Sequence, residues 1–306
     1  MSGAPASGLE RRVVHPGPFV DGRPVSNGTG GTLRRRIQRL LTSQRERDEA
    51  ELERRIRTQP PVTRPNTIAL ISPKGGVGKT TSTFVVGNLL ASHLKLRAIA
   101  VDANPDLGTL ARLAPYDRRS DRSLADLLDD TDRLNTAAEL GAYVSRLPTG
   151  LHVLAAPRDA ELTASLGPER YGELVAFLAS FYEVVVLDLG TGVAGPLARF
   201  AIERADQVVL VTTPEWVTSS VVLEALSLLQ HERTTVALNK SYLRSADVGM
   251  IEERFRAQHL HRAVTIPYDE QLATMLDSGT YSLDALKRPS RVAIKRLGLA
   301  VAEQLV

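Results

Sequence analysis

The sequence predicts an α/β fold: a doubly wound, mostly parallel sheet of seven or eight strands with helices on both faces. Three observations predict it. Short apolar, β-branched runs alternate with helix-length stretches from residue 67 onwards. The runs are apolar at successive positions rather than alternate ones, as strands covered on both faces must be. The first run also passes through a glycine-rich turn straight into a helical stretch, the βα unit from which such sheets are wound.

The chain opens differently. Residues 1–32 are rich in Gly, Pro, Ser and Asn and poor in large apolar side chains, which predicts a disordered segment. Residues 33–58 read as a basic amphipathic helix. Leu33, Ile37, Leu40 and Leu41 share a face, and Arg34, Arg35, Arg36 and Arg39 crowd the first half. Its second half mixes Arg with Glu46, Asp48, Glu49, Glu51 and Glu53. Pro60, Pro61 and Pro65 then make 59–66 a stiff, extended linker. The globular domain is expected over 67–306.

Within it, strands are expected over 67–71, 97–101, 151–155, 183–187, 207–212, 234–238 and 263–266. Helices are expected over 80–93, 168–180, 196–203, 217–231 and 247–258, and over 270–276 and 289–305 to close the domain. Each strand run is rich in Val, Ile, Leu or Thr, and each helical stretch carries apolar residues at three- to four-residue spacing.

Composition narrows the function. The chain has 306 residues, 43% of them hydrophobic, enough for a large core. It has no cysteine, which excludes disulfides, thiolate zinc sites and cysteine-ligated iron–sulfur clusters. No apolar run approaches about 18 residues, and the first residues lack the pattern of a signal peptide. A cytoplasmic protein is expected, in reach of a membrane or nucleoid surface. The charge is uneven: residues 1–66 hold thirteen arginines against seven carboxylates, whereas the remainder is slightly acidic. A basic arm either solubilises the chain or meets a polyanion, DNA or anionic lipid.

The chemistry is concentrated at strand ends. After the first strand comes Ser72-Pro73-Lys74-Gly75-Gly76-Val77-Gly78-Lys79-Thr80-Thr81. Glycines between a strand and a helix let backbone N–H groups converge on phosphate oxygens, so this is a P-loop that makes the fold a P-loop NTPase type. Lys79 is placed to reach the β/γ-phosphates and the Thr80 hydroxyl to hold Mg²⁺. The second strand ends in Asp102-Ala103-Asn104-Pro105-Asp106, and the fourth in Asp188-Leu189-Gly190-Thr191-Gly192. A carboxylate at a strand end beside a phosphate loop can hold Mg²⁺ or orient water.

One detail is specific. The usual P-loop has Gly five residues before Gly78; this chain has Pro73 there and an added lysine, Lys74. Lys-Gly-Gly-Val-Gly-Lys-Thr-Thr resembles the deviant Walker A loop of the MinD/ParA ATPases. Thr212-Thr213-Pro214-Glu215 resembles the Thr-x-Pro-Glu segment of the MinD branch. Leu238-Asn239-Lys240 and Ile266-Pro267-Tyr268-Asp269 resemble the segments that recognise and cover adenine. The resemblance spans about residues 67–306 and leaves the N-terminal extension unexplained.

The resemblance implies ATP or ADP with Mg²⁺, held by the Gly75–Thr81 loop residues, Gly192, Asn239, Pro267 and Asp269. It implies Mg²⁺ at Thr80, Asp102 and Asp188. It implies a homodimer when ATP is bound, with Lys74 reaching the phosphates of the neighbour, and hydrolysis that releases it. In relatives the second switch I position is an aspartate that prepares the water; here it is Asn104, which can orient water but cannot act as a base. Weak or partner-stimulated hydrolysis is therefore expected, with Asp106 a substitute or a plain turn residue. The resemblance implies a spatial organiser of division, secretion or pilus machinery, or DNA cargo, with a protein partner or activator. Two alternatives stay open: a non-hydrolysing nucleotide-sensing scaffold, and a DNA-partitioning ATPase. Lys287, Arg288, Arg291, Lys295 and Arg296 are the C-terminal residues that DNA would meet. Trp216 is a core anchor or an interface residue. Nothing marks the pocket of a small-molecule ligase.

Overall fold

The computed structural model describes residues 44–104, 108–215, 222, 233–242, 245–257 and 262–306. The chain divides into two units, 1–47 and 48–306. The described residues of the first, 44–47, are helical. The segment 1–32, the arginine-rich start of the 33–58 helix, Trp216, Asp106 and all of the predicted 217–231 helix but Val222 lie outside the described residues.

The second unit is built on one eight-stranded sheet, ordered β3-β4-β2-β5-β1-β6-β7-β8. The strands are β1 (Asn66–Ile71), β2 (Ala98–Ala103), β3 (Ser145–Arg146), β4 (His152–Leu154), β5 (Val184–Leu189), β6 (Gln207–Thr212), β7 (Thr234–Ser241) and β8 (Ala263–Pro267). All pairs are parallel except the short edge pair β3–β4. The predicted fold class therefore holds, and the strand added to the seven expected is β3, the antiparallel edge. β2, β5 and β6 are buried at every position, which is why their sequences do not alternate.

Ten α-helices are described in the unit, and six of them pack on the two faces of the sheet. On one lie α1 (48–57), α2 (Lys79–Ser92) and α10 (Arg288–Ala302), which meet the sheet through Ile56, Phe84, Leu89, Ile294 and Leu297. On the other lie α3 (Leu124–Asp130), α6 (Pro168–Ala179) and α7 (Pro196–Arg204), which contribute Leu127, Leu174, Leu178 and Ile202. The remaining four are α4 (Ala137–Leu140), α5 (Ala160–Ser165), α8 (Ser245–Arg256) and α9 (Glu270–Ser278). No helix among the described residues is long and apolar enough to cross a membrane. β1 lies between β5 and β6, so the chain winds outward from it in both directions, leaving a crevice at its carboxyl end.

Two expectations about the extension change. The compact unit starts at Asp48, not at 67. Leu52 and Ile56 of α1 are buried, each worth about 1.5–3 kcal/mol. The proline segment is pinned rather than free: the Thr63 and Arg64 N–H groups donate to the Val306 carbonyl at 3.0 and 3.2 Å. The C-terminal basic residues do not make an open face either. Arg288, Arg291 and Lys295 all converge on Glu49 of α1, at 3.0, 2.6 and 3.0 Å, and Lys295 is buried. Lys287 and Arg296 remain exposed.

The Arg291 hydrogen bond above all, with Lys295 and Arg288, holds the Glu49 carboxyl at about 2 against an ordinary 4.5. A depressed carboxylate stabilises the fold above its unfolded pKa and loses that effect as pH falls through the folded one. Glu49→Gln is expected to cost about 2 kcal/mol at neutral pH. The gap to the parent should shrink progressively from about pH 4.5 towards pH 2 in urea titrations. A gap independent of pH would mean that the carboxylate charge does not hold α1 to α10.

Candidate nucleotide site

The loop after β1 is fixed from within. The buried Ser72 hydroxyl donates to the Lys74 carbonyl at 2.7 Å and accepts the Lys74 N–H at 3.2 Å. Gly78 caps α2 with φ of 95°, a left-handed conformation that costs most side chains energy. A Cβ there would also stand 2.2 Å from Asn239 Nδ2. The first turn of α2 has no acidic residue. Its free N–H groups and positive end are therefore open to an anion.

Lys79 is buried at the start of α2, and its Nζ lies 3.1 Å from Asp188 Oδ1. The Thr80 hydroxyl donates to Asp188 Oδ2 at 2.7 Å. Asp188 is near the end of β5, in register with Asp102 on β2. Both carboxylates are buried. Burial first, then the neighbouring Asp188 charge, pushes the Asp102 carboxyl up to about 6. The Leu110 N–H at 2.8 Å and the Asn104 N–H at 3.4 Å donate to it. Gly108 packs so closely that a Cβ would sit 2.3 Å from Asp102 Oδ2. Two buried carboxylates with a single lysine between them are short of positive charge. That donor set, with the Thr80 hydroxyl, fits a hard dication such as Mg²⁺ shared with phosphate oxygens. Among the described residues no group of three or more His, Cys, Asp or Glu could hold a metal by itself.

Lys74 faces the other way. Its ammonium is largely exposed, 3.9 Å from the equally exposed Glu215 carboxylate. Gly192, after β5, gives its N–H to the Ser72 carbonyl at 2.8 Å. The segment expected to sense the γ-phosphate thus rests on the backbone of the loop that would hold it.

On the far side, Asn239 Nδ2 donates to the Val77 carbonyl at 2.9 Å. Lys240, in left-handed backbone with φ of 55°, donates to the Gly76 carbonyl at 2.8 Å. Lys240 was not singled out by the sequence; its place directly after Asn239 at a strand end was the available signal. Pro267 ends β8 in register with Ser241. Asp269 is placed elsewhere than expected. Its buried carboxylate accepts the Gln271 N–H at 3.1 Å as cap of α9 and the Lys287 N–H at 2.9 Å. These two contacts tie the start of α9 to the residue before α10. The adjoining Tyr242 and Tyr268 rings stack at 4.7 Å and are exposed.

The structure thus brings Gly78, Lys79, Thr80, Asp102, Asp188 and Asn239 to one end of the sheet. Gly75, Gly76, Val77 and Thr81 fill out the loop and the first turn of α2.

The chain is similar to known proteins. The family model described as the CobQ/CobB/MinD/ParA nucleotide binding domain matches residues 68–295. ESX-1 secretion-associated protein EspI of Mycobacterium tuberculosis is 28% identical over 269 residues, covering 84% of this chain and 39% of that protein. The septum site-determining protein MinD of Bacillus subtilis is 29% identical over 148 residues, 48% of this chain and 53% of that one. The chain therefore spans only about two fifths to one half of the length of these relatives. Among solved structures, a ParA family ATPase from Chlorobium tepidum superposes with a TM-score of 0.64 at 23% identity, covering 75% of this chain and 97% of that one. The Mg-ADP complex of MinD from Pyrococcus horikoshii superposes with a TM-score of 0.62 at 19% identity, covering 77% and 94%. At these identities the superpositions establish a common fold.

Proposed function

Because this chain belongs to the CobQ/CobB/MinD/ParA nucleotide-binding family, we propose that it is an ATPase that dimerises on ATP and uses the dimer to place a cargo. The observation that carries this reading is the division of labour between two lysines of one loop. Lys79 is buried against Asp188, inside the phosphate cradle. Lys74 is largely exposed, and among the described residues it pairs with the solvent-exposed Glu215. An exposed pair of this kind contributes little stability, so Lys74 is available to a second set of phosphates on a facing subunit.

In this account the amides of Gly75–Thr81 and the Lys79 ammonium take the phosphates. Thr80, Asp188 and Asp102 would hold Mg²⁺, which would neutralise charge building on the phosphate oxygens. The Gly192 N–H exchanges the Ser72 carbonyl for the γ-phosphate, so loss of that phosphate returns it to the loop. Asn239 keeps the loop closed through the Val77 carbonyl, and its amide oxygen is the group offered to the base. Each step changes which surface the protein offers, and the dimer is the state that engages cargo.

Similarity to EspI over 84% of the chain favours secretion machinery as that cargo over DNA. The engagement of Arg288, Arg291 and Lys295 by Glu49 points the same way, because it leaves fewer free cations for phosphate backbones.

A second reading, a scaffold that binds ATP with little turnover, rests on Asn104. Its backbone N–H is bound to Asp102, and its amide side chain cannot take a proton from water. Asn104→Asp is expected to raise steady-state turnover by about tenfold or more, within the range that general base catalysis supplies. A phosphate-release assay with and without candidate partners reads this directly. Rapid turnover by the parent, unchanged in the variant, would remove Asn104 as the brake.

A further inference from the structure

Beyond the nucleotide crevice, the carboxyl edge of the sheet carries a second concavity. It is a cavity of about 560 Å³ between the segment after β2 and the end of β4. Arg112, Arg119, Arg122 and Arg158 stand around it, against one carboxylate, Asp121. A neighbouring cavity of about 460 Å³ shares Arg119 and Ser120 and adds Arg118 and Arg146.

The fold positions part of this charge. Arg119 Nε donates to the Ala114 carbonyl at 2.6 Å and its Nη2 to the Arg112 carbonyl, which fixes the guanidinium. Arg122 lies over the Tyr143 ring, 4.5 Å from its centroid, and pairs with Asp130 at 3.4 Å. Arg158 pairs with the fully exposed Asp121 at 3.0 Å, and Arg112 is exposed. Such a surface pair exchanges readily for a better anion. Ala155 and Pro157 give the cavity an apolar wall, and the Tyr116 ring stands exposed at its rim.

The cavity touches the chemistry through Gly108. Gly108 lines it, and leaves no room for a Cβ against Asp102. Leu110, two residues on, gives its N–H to the same carboxylate.

We propose that this arginine-lined cleft is a docking site for a short acidic segment of a partner protein, with an apolar side chain between its carboxylates, and that its occupancy is felt at Asp102 through residues 108–110. Concavity and the apolar wall suit a peptide. Fixed guanidinium forks recognise carboxylates in pairs. The assignment does not depend on ATP hydrolysis, because it is tested without nucleotide.

The probe is a short fluorescently labelled peptide of alternating glutamate and leucine, titrated with the full chain while anisotropy is followed. Saturable binding that weakens with added salt is expected. The double variant Arg112→Glu, Arg158→Glu changes two exposed side chains and should fold as the parent does, which circular dichroism checks. It is expected to bind about tenfold more weakly or worse. Amide exchange at Leu110 is expected to change when peptide is added to the parent and not to the variant. No saturable binding, equal binding by parent and variant, or tighter binding of a single-stranded oligonucleotide would each overturn the docking site. Binding without any change at Leu110 would overturn the link to Asp102.

Discussion

Lys79→Ala is expected to lower the unfolding free energy of the nucleotide-free protein by about 3–5 kcal/mol, because it strips the cation from a buried ion pair. The reason lies in two strands. β2 and β5 place Asp102 and Asp188 side by side, both buried, and the Lys79 ammonium pairs with Asp188. Without it, two carboxylates repel in a low-dielectric crevice. The same change should weaken ATP binding on the order of 100-fold or more, since a buried charge partner of the phosphates is lost. The two effects separate in a second variant. Lys79→Ala combined with Asp188→Asn removes both charges, so stability should return towards the parent in urea titrations while calorimetric ATP binding stays weak. If the double variant were as unstable as the single one, the Lys79–Asp188 pair would not be the source of the loss.

Lys74→Ala is expected to do the opposite. Its ammonium is exposed and 3.9 Å from an exposed carboxylate, so stability should change by less than about 0.5 kcal/mol. ATP affinity of the single chain, measured at low protein concentration, should change little. Association in ATP should be lost, with the dimer weakened on the order of 100-fold, because a desolvated ammonium–phosphate contact is removed twice across a symmetric interface. Lys74→Arg keeps the charge but not its point-like shape and should restore association only in part. A Lys74→Ala protein that still associates in ATP as the parent does would confine this lysine to the loop's own surface.

The residues themselves explain what could be foreseen. The sheet was legible because strands buried on both faces, such as β5 and β6, must be apolar throughout. The β1–loop–α2 unit was legible because Gly78 occupies a conformation and a space that few other residues tolerate. The role of Asp269 was not, since a carboxylate next to a helix start has the same sequence whether it faces a ligand or caps the helix. Nor was the grip of Glu49 on Arg288, Arg291 and Lys295, a contact across some 240 residues that no local pattern encodes. The antiparallel edge strand β3 has two residues, too few for a periodicity. The arginine-lined cleft is assembled from residues scattered over 108–158, each unremarkable in its own stretch of chain.

The account turns on whether ATP joins two copies of this chain. Sedimentation velocity on the full chain, at micromolar concentration with Mg²⁺ and saturating ATP, ADP or no nucleotide, tests that directly. The account predicts a dimer with ATP and a monomer in the other two conditions. A monomer in all three, with ATP binding verified in the same sample, would contradict it.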